Sequence, residues 1–185
     1  NFSFGQYFKD GAIELAWEFM FEQMKLDLDR IWVTVFAGDA ELGLGEDEVA
    51  VRAWEGMGMP PERIVRLPRV DNFWSVGGPG PCGPDSEMFF DWGEEVGCGR
   101  AECAPGCDCD RFLEFWNLVF MEFELHADGS LTPLPKQNID TGLGLERGAR
   151  ILQQVPSVYD TDGYQHIMEW IAGRSGAAYG ESELA

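Results

Sequence analysis

The chain is poor in basic residues and has no long hydrophobic run. Its 185 residues contain 13 lysine and arginine side chains against 33 aspartates and glutamates, a formal net charge of -20. A field of that sign repels nucleic acid over a Debye length, which argues against a DNA-binding protein and leaves RNA contacts to local basic groups. Because no apolar stretch could cross a bilayer and no secretory pattern stands at the start, we expect a cytoplasmic protein without membrane contact.

Histidine is also scarce, which limits the catalytic mechanisms that the chain could support. Neither His126 nor His166 stands near a plausible nucleophile, so the sequence supports no Ser-His-Asp or Cys-His arrangement. Phosphate chemistry by positioning remains open, because it needs charged groups and a metal rather than a covalent nucleophile. The isolated cations Lys9, Arg100 and Lys136 are expected at the surface.

The remaining composition is that of a folded domain. Hydrophobic residues make up 45% of the chain and include seven tryptophans, enough for one domain with a substantial core. The sequence begins at Asn1 rather than at a methionine, and its last residues, 180–185, suggest no closing element. We therefore expect residues 1–185 to be part of a longer protein.

Four of the five cysteines lie together in an insert rich in glycine and acidic residues, at about 93–110. They are Cys98, Cys103, Cys107 and Cys109. In a reducing cytosol, four thiolates at this density favour a closed, structural Zn²⁺ site over disulfides. The spacing is irregular and lacks the paired CxxC form, so unpaired thiols in a mobile loop, or disulfides in a secreted protein, remain alternatives.

Hydrophobic periodicity predicts a mixed fold. Helices are predicted at 10–28, 46–57, 144–153 and 163–173. Strands are predicted at 1–5, 31–36, 64–67, 86–92, 112–125 and 130–134, with a glycine-rich loop at 71–84. Asp128-Gly129 is a strong hairpin signal between the last two strands. The sum is an α/β protein of the α+β type, an antiparallel sheet flanked by helices.

One segment, 138–147, joins an acidic residue and two glycines to a helix carrying an arginine. The glycines permit a tight turn and close approach of a ligand, and a helix start offers N–H groups to an anion. Asp140 and Arg147 together could hold a cationic amine and an anionic phosphate, as an enzyme that activates an amino acid with ATP must. The alternative is an ordinary strand-to-helix turn. Two other residues also have two possible interpretations. Asn117 is either a structural link between strands or a substrate contact, and Trp74 is either a core ring or the wall of a pocket.

Five blocks of sequence, taken in order, carry a family resemblance. Residues 1–9, 71–74, 78–84, 116–123 and 135–147 resemble the catalytic domain of alanyl-tRNA synthetases in order and spacing. Residues 142–147 resemble motif 3 of class II aminoacyl-tRNA synthetases. The resemblance covers nearly the whole chain. It implies the class II antiparallel sheet and a ligase that makes alanyl-adenylate from alanine and ATP, then transfers alanine to tRNA(Ala).

The resemblance also implies roles for particular residues. Those implied for the alanine site are Asp140 for the ammonium group, Asn117 for the amino acid, Trp74 and Val119 as pocket walls, and Gly142 for close approach. Those implied for ATP are Gly144 and the catalytic Arg147, which would stabilise charge on the phosphates. Mg²⁺ should accompany ATP, with ligands that the sequence does not assign.

The chain also departs from the family pattern. Motif 1, the first part of motif 2 and the tRNA-recognition and editing regions are missing, so we expect the isolated chain to be inactive and tRNA to bind mostly elsewhere. The cysteine insert is interpreted as a feature of one lineage. Two alternatives to an alanine-activating enzyme remain: a non-catalytic synthetase-like binding module, and a class II-like ligase that forms an amide with another small amino acid.

Overall fold

A computed structural model describes residues 1–177 and 179–180 of the chain. The strands are β1 Phe2–Phe4, β2 Ile31–Phe36, β3 Ile64–Leu67, β4 Phe73–Ser75, β5 Gly80–Asp91, β6 Phe112–Leu125 and β7 Leu131–Leu143. The helices are α1 Lys9–Trp17, α2 Glu48–Met57, α3 Arg69–Asn72, α4 Leu145–Gln153 and α5 Asp162–Ser175. The chain divides into two compact units, Asn1–Leu143 and a second that begins at Gly144. Among the described residues, no helix has the length and apolar character needed to cross a membrane.

The first unit is built on one seven-stranded sheet. Six strands follow the order β1-β7-β6-β5-β2-β3, and β4 pairs with β5 beside that path. β2 and β3 run parallel, while the other recorded pairs are antiparallel. This confirms the predicted sheet flanked by helices. The Asp128-Gly129 hairpin is also confirmed: Gly129 has φ +84°, and the Ser130 N–H donates to Asp128 Oδ1 at 3.0 Å.

Several predicted boundaries were wrong. The first helix is regular only to Trp17, then continues as a π-helical turn over Glu18–Gln23 instead of running to residue 28. The strand predicted from residue 130 runs on as far as Leu143. The supposed loop at 71–84 contains the end of α3, all of β4 and the start of β5. Gly83 explains this last error, because a side chain there would collide with the carbonyl of Phe120; glycine lets β5 and β6 approach closely.

The two faces of the central strands differ in what covers them. One face, here called the helix-covered face, lies under α1 and α2: Phe8, just before α1, packs edge-on against Phe120, and Trp54 of α2 donates to Ser86 Oγ at 2.9 Å. The other face, here called the polar face, carries the alternate residues of the same strands. Where the three longest strands pair side by side in one continuous register, its members are Asp85, Glu87, Asn117, Val119, Asp140 and Gly142.

Candidate functional site

Strand register brings most of the residues expected to bind alanine onto the polar face. Val119 pairs with Asp140, and Asn117 pairs with Gly142, across the β6–β7 ladder. Directly paired residues point to the same side of a sheet, with strands about 4.8 Å apart. These four residues therefore form one patch, although they are separated by about twenty positions in the sequence.

Trp74 reaches the same part of the sheet by another route. It lies in β4, which pairs with β5 through Trp74 and Gly83, and its side chain is half-buried. Two residues earlier, the fully buried Asn72 donates from Nδ2 to Asp85 Oδ1 at 2.8 Å. This hydrogen bond fixes the start of β4 to the polar face of β5.

Asn117 is one of the buried residues whose hydrogen bonding is incomplete. Its Nδ2 donates to Glu87 Oε1 at 3.5 Å, whereas its Oδ1 is buried and has no hydrogen-bond partner. A buried acceptor without a donor is costly, and a bound ligand with N–H groups would satisfy it. One strand away, the exposed carboxylate of Asp140 lies on the same face.

Asp85 and Asn72 belong to this region and were not identified from the sequence. Asp85 is 2% exposed, and burial raises its pKa to about 7 although the hydrogen bond from Asn72 acts to lower it. The nearby carboxylates Glu114 and Asp71 raise this pKa further. One sequence signal could have found the site: acidic residues two apart in a strand, at positions 85 and 87, share a face.

The two residues assigned to ATP by resemblance lie in the second unit. Gly144 precedes α4, and Arg147 stands in the first turn of that helix with its side chain exposed. A Cβ on Gly144 would come within 3.3 to 3.5 Å of the aliphatic part of Arg147. Glycine therefore leaves room for the arginine stem at the start of α4.

The four cysteines of the insert converge. Their Sγ atoms all lie within 4.8 Å of one another, and two pairs, Cys98 with Cys107 and Cys103 with Cys109, are 3.6 Å apart. Arg100 donates from Nη2 to Cys107 Sγ at 2.8 Å and from Nε to Cys98 Sγ at 3.3 Å. The backbone N–H and guanidinium of Arg100 lower the pKa of Cys98 to about 6. Such a group of thiol ligands could hold a metal ion.

An ion pair closes the base of the insert. Arg111 donates from Nε and Nη2 to the two carboxylate oxygens of Asp91, each at 2.8 Å, and the Trp92 N–H donates to the Arg111 carbonyl. Burial acts to raise the pKa of Asp91, but hydrogen bonds from Arg111 and Gly93 outweigh it and lower that pKa. The insert is thus tied to the end of the β5–β6 ladder.

Two residues expected in ordinary surroundings are buried instead. Lys9 is 6% exposed rather than at the surface, since its Nζ forms ion pairs with Asp47, at 2.7 Å, and with Glu122. Cys82, expected in a loop, lies fully buried in β5. The Lys9 ion pairs connect α1, the start of α2 and β6, which explains why a lysine is tolerated inside the unit.

Comparison with known proteins agrees with this architecture. The sequence profile described as "tRNA synthetases class II (A)" matches residues 1–185. The chain therefore belongs to the class II tRNA synthetase family.

The curated relatives show which kind of tRNA synthetase the chain is similar to. The chain is 49% identical over 183 residues to the alanine–tRNA ligase of Desulfosudis oleivorans and 47% identical over 184 residues to that of Acetivibrio thermocellus. A third alanine–tRNA ligase, from a Thermoanaerobacter species, is 49% identical over 182 residues. These matches cover 98%, 99% and 98% of the chain but 20% of each relative, so the chain spans about a fifth of their length.

Proposed function

We propose that the chain is the amino-acid-activating part of a longer, cytoplasmic alanine–tRNA ligase. That enzyme would form alanyl-adenylate from alanine and ATP, then transfer the alanyl group to tRNA(Ala), which would bind mostly through regions outside these residues. The observation that carries the proposal is the unpartnered, buried Oδ1 of Asn117 on the same sheet face as the exposed carboxylate of Asp140.

The two groups suit the ammonium end of an amino acid. Asp140 supplies the opposite charge, and Asn117 Oδ1 supplies a neutral acceptor, so each would accept a hydrogen bond from the ammonium group. Val119 and Trp74 would border the methyl group. Gly142 leaves open space on this face, since a Cβ there would meet no atom within 4 Å.

Activation itself requires little covalent chemistry from the protein. The alanine carboxylate attacks the α-phosphorus of ATP, the bond to pyrophosphate breaks, and negative charge grows on the leaving group. In this proposal Arg147 stabilises that charge, while Gly144 leaves the start of α4 accessible to the nucleotide. Mg²⁺ bound with ATP would neutralise part of the phosphate charge.

Alanine-dependent exchange of pyrophosphate into ATP tests the proposal in the full-length enzyme. Asp140→Ala should lower kcat/KM for alanine about 100-fold, since a charged hydrogen bond of about 3 kcal/mol is lost. Arg147→Ala should lower kcat by about 100-fold or more. Arg52→Ala is the control, because Arg52 is exposed on α2 and pairs with Glu48. Wild-type exchange rates in both test variants would contradict the proposal.

We also propose that the cysteine cluster holds a structural Zn²⁺. The convergence of four Sγ atoms supports it, since four thiolates leave no open position for substrate and make a closed site. Metal analysis of the purified enzyme should find one Zn²⁺ at this site. Cys107→Ser should reduce that zinc content, whereas Cys82→Ala, outside the cluster, should leave it unchanged. Equal zinc content in wild type and Cys107→Ser would refute the site.

A further inference from the structure

The cysteine insert has an unbalanced charge. Residues 93–110 contain five acidic side chains, and Arg100 is their single basic residue. Four thiolates around one Zn²⁺ add a net charge of about -2, because the ion neutralises two of the four. Charges of one sign gathered in a small volume repel one another, so a metal site here needs a group that stabilises negative charge on sulfur. Within the insert, Arg100 is the side chain that brings a positive charge.

The guanidinium of Arg100 bridges two of the four sulfur atoms. Its Nη2 donates to Cys107 Sγ at 2.8 Å, and its Nε donates to Cys98 Sγ at 3.3 Å. These two sulfurs are 3.6 Å apart, close to the edge of about 3.8 Å that follows from a tetrahedron with Zn–S bonds of about 2.3 Å. Two donors of one planar group therefore span one edge of a ligand set that is already near the spacing a metal requires.

The backbone of Arg100 contacts a third ligand. The Cys103 N–H donates to the Arg100 carbonyl at 3.2 Å, and Cys103 Sγ lies 3.6 Å from the sulfur of Cys109. Cys98 and Cys107 are nine positions apart in the chain, so the side chain of Arg100 joins two ends of the insert. Arg100 thus touches three of the four cysteines.

The choice of partner separates Arg100 from an ordinary surface arginine. Arg100 is exposed, and an exposed arginine usually pairs weakly with whichever carboxylate is near. Here the insert offers five carboxylates, yet the ion pairs of the described residues do not include Arg100. Its donors are directed at sulfur instead. Outer hydrogen bonds of this kind orient metal ligands and adjust the strength with which they bind.

We infer that Arg100 is a positioning residue for the zinc site: its guanidinium holds the sulfurs of Cys98 and Cys107 in place for the ion and offsets part of their charge. The inference rests on the zinc site proposed above. Arginine donates hydrogen bonds and accepts none, so Arg100 acts through the thiolates and does not bind the metal. Its loss leaves all four ligands present and speeds the release of zinc.

The first experiment times the release of zinc from the full-length enzyme into an excess of a chromogenic chelator. Arg100→Ala should speed release about tenfold, as expected when a metal site loses an outer hydrogen-bonding partner. Arg100→Lys keeps the charge, but its compact ammonium lacks the rigid fork that spans two sulfurs, so its rate should lie between those of wild type and Arg100→Ala. A wild-type release rate in Arg100→Ala would overturn the inference.

The matched control is Arg52→Ala. It also removes one positive charge from an exposed arginine, but Arg52 lies on α2 and pairs with Glu48. This variant should release zinc at the wild-type rate. Acceleration equal to that of Arg100→Ala would assign the effect to the net charge of the chain and overturn the role of the Arg100 hydrogen bonds.

The absorption spectrum of the Co²⁺-substituted, full-length enzyme gives a readout that a purely structural role would not move. Hydrogen bonds withdraw electron density from thiolate sulfur and so raise the energy of the sulfur-to-cobalt charge-transfer band. Arg100→Ala should shift this band to longer wavelength, while the visible bands of a four-coordinate site persist. A charge-transfer band at the wild-type wavelength would overturn the inference.

Failure of the inference can be told from failure of the zinc proposal. A wild-type enzyme that contains no zinc and binds no Co²⁺ would overturn both. A zinc-loaded wild type whose Arg100→Ala variant releases the metal no faster would overturn only the role of Arg100. Neither measurement depends on alanine activation, so the outcome is independent of the assignment of the amino-acid site.

Discussion

The helix-covered face and the polar face are made from alternate residues of the same strands, yet they differ in how well they are packed. On the helix-covered face, Met88, Leu118, Phe120 and Ile139 are each at most 1% exposed. On the polar face, Asp140 is exposed, and Asn117 keeps a buried oxygen without a partner. Burial of apolar area stabilises the first face, whereas the second presents a charged group to solvent beside a buried, unpaired oxygen. One side of the sheet thus provides stability and the other is available for binding.

Buried polar atoms without a partner occur on both faces, since the Nε1 of Trp116, which pairs with Met88 on the helix-covered face, is also buried and unpaired. On the helix-covered face, Ser86 Oγ accepts from Trp54 Nε1 and donates to the Thr34 carbonyl at 2.7 Å. On the polar face, the Nδ2 of Asn72 is bonded, but its Oδ1 is buried without a partner. The two faces therefore differ in apolar packing and in exposure rather than in unpaired polar atoms, and three substitutions test that difference.

The largest effect is expected on the helix-covered face. Phe120→Ala should reduce the local free energy of unfolding by about 3–5 kcal/mol, because it removes a fully buried ring that contacts Phe8. Native-state hydrogen exchange of the β6 amides in the full-length enzyme would measure this loss. Phe4→Ala, at an exposed phenylalanine of β1, is the matched control and should change exchange far less. Equal losses in the two variants would contradict the distinction between the faces.

A smaller change in stability, and of opposite sign, is expected for the substitution Asp85→Asn. The pKa of Asp85 is about 7 in the folded protein, against an ordinary value of 3.8. At a pH between these two values, the folded state therefore binds a proton that the unfolded state lacks. Stability due to this group is therefore present below about pH 4 and lost as the pH rises to 7. The loss is at most about 4 kcal/mol, and Asp85→Asn should avoid it.

Thermal unfolding of the full-length enzyme at pH 5 and pH 8 would measure this difference. Relative to wild type, Asp85→Asn should gain stability as the pH rises. Asp91→Asn should behave oppositely: the pKa of Asp91 is lowered, so its stabilisation is present at neutral pH and is lost as the pH falls through that pKa. The same pH trend in both variants would show that the Asp85 carboxyl is not destabilised by its surroundings.

The sequence was informative where a residue's role depends on its neighbours in the chain. Periodicity predicted α2, and the structure adds its caps: the N-cap Asp47 accepts from the Ala50 N–H, and the C-cap Gly58 has φ +108°. The Asp128-Gly129 turn predicted the hairpin for the same reason. The sequence failed to predict β4 and the first half of β5, because β4 depends on pairing with β5, and β5 on pairing with β6, rather than on local propensity.

The candidate site also depends on contacts between residues that are distant in the sequence. Resemblance indicated Asn117 and Asp140, but their position on one face depends on the β6–β7 register, which the sequence does not fix. Asn72 lies in the segment predicted as a loop, and Asp85 lies between that segment and the strand predicted from residue 86. Burial of Lys9 was missed because its partners, Asp47 and Glu122, are 38 and 113 positions away.

The smallest change in stability is expected at Gly142, with a clear change in function. A methyl group there would meet no atom within 4 Å, so Gly142→Ala should alter the free energy of unfolding by no more than about 0.5 kcal/mol. That methyl would project from the polar face opposite Asn117, into the space proposed for alanine, and should raise the KM for alanine about tenfold. Gly56→Ala in α2 also enters open space, and should leave the KM unchanged while stabilising its helix slightly. If Gly142→Ala kept the wild-type KM for alanine, the open space on the polar face would not be the amino-acid site, and the contrast between the faces would be one of packing alone.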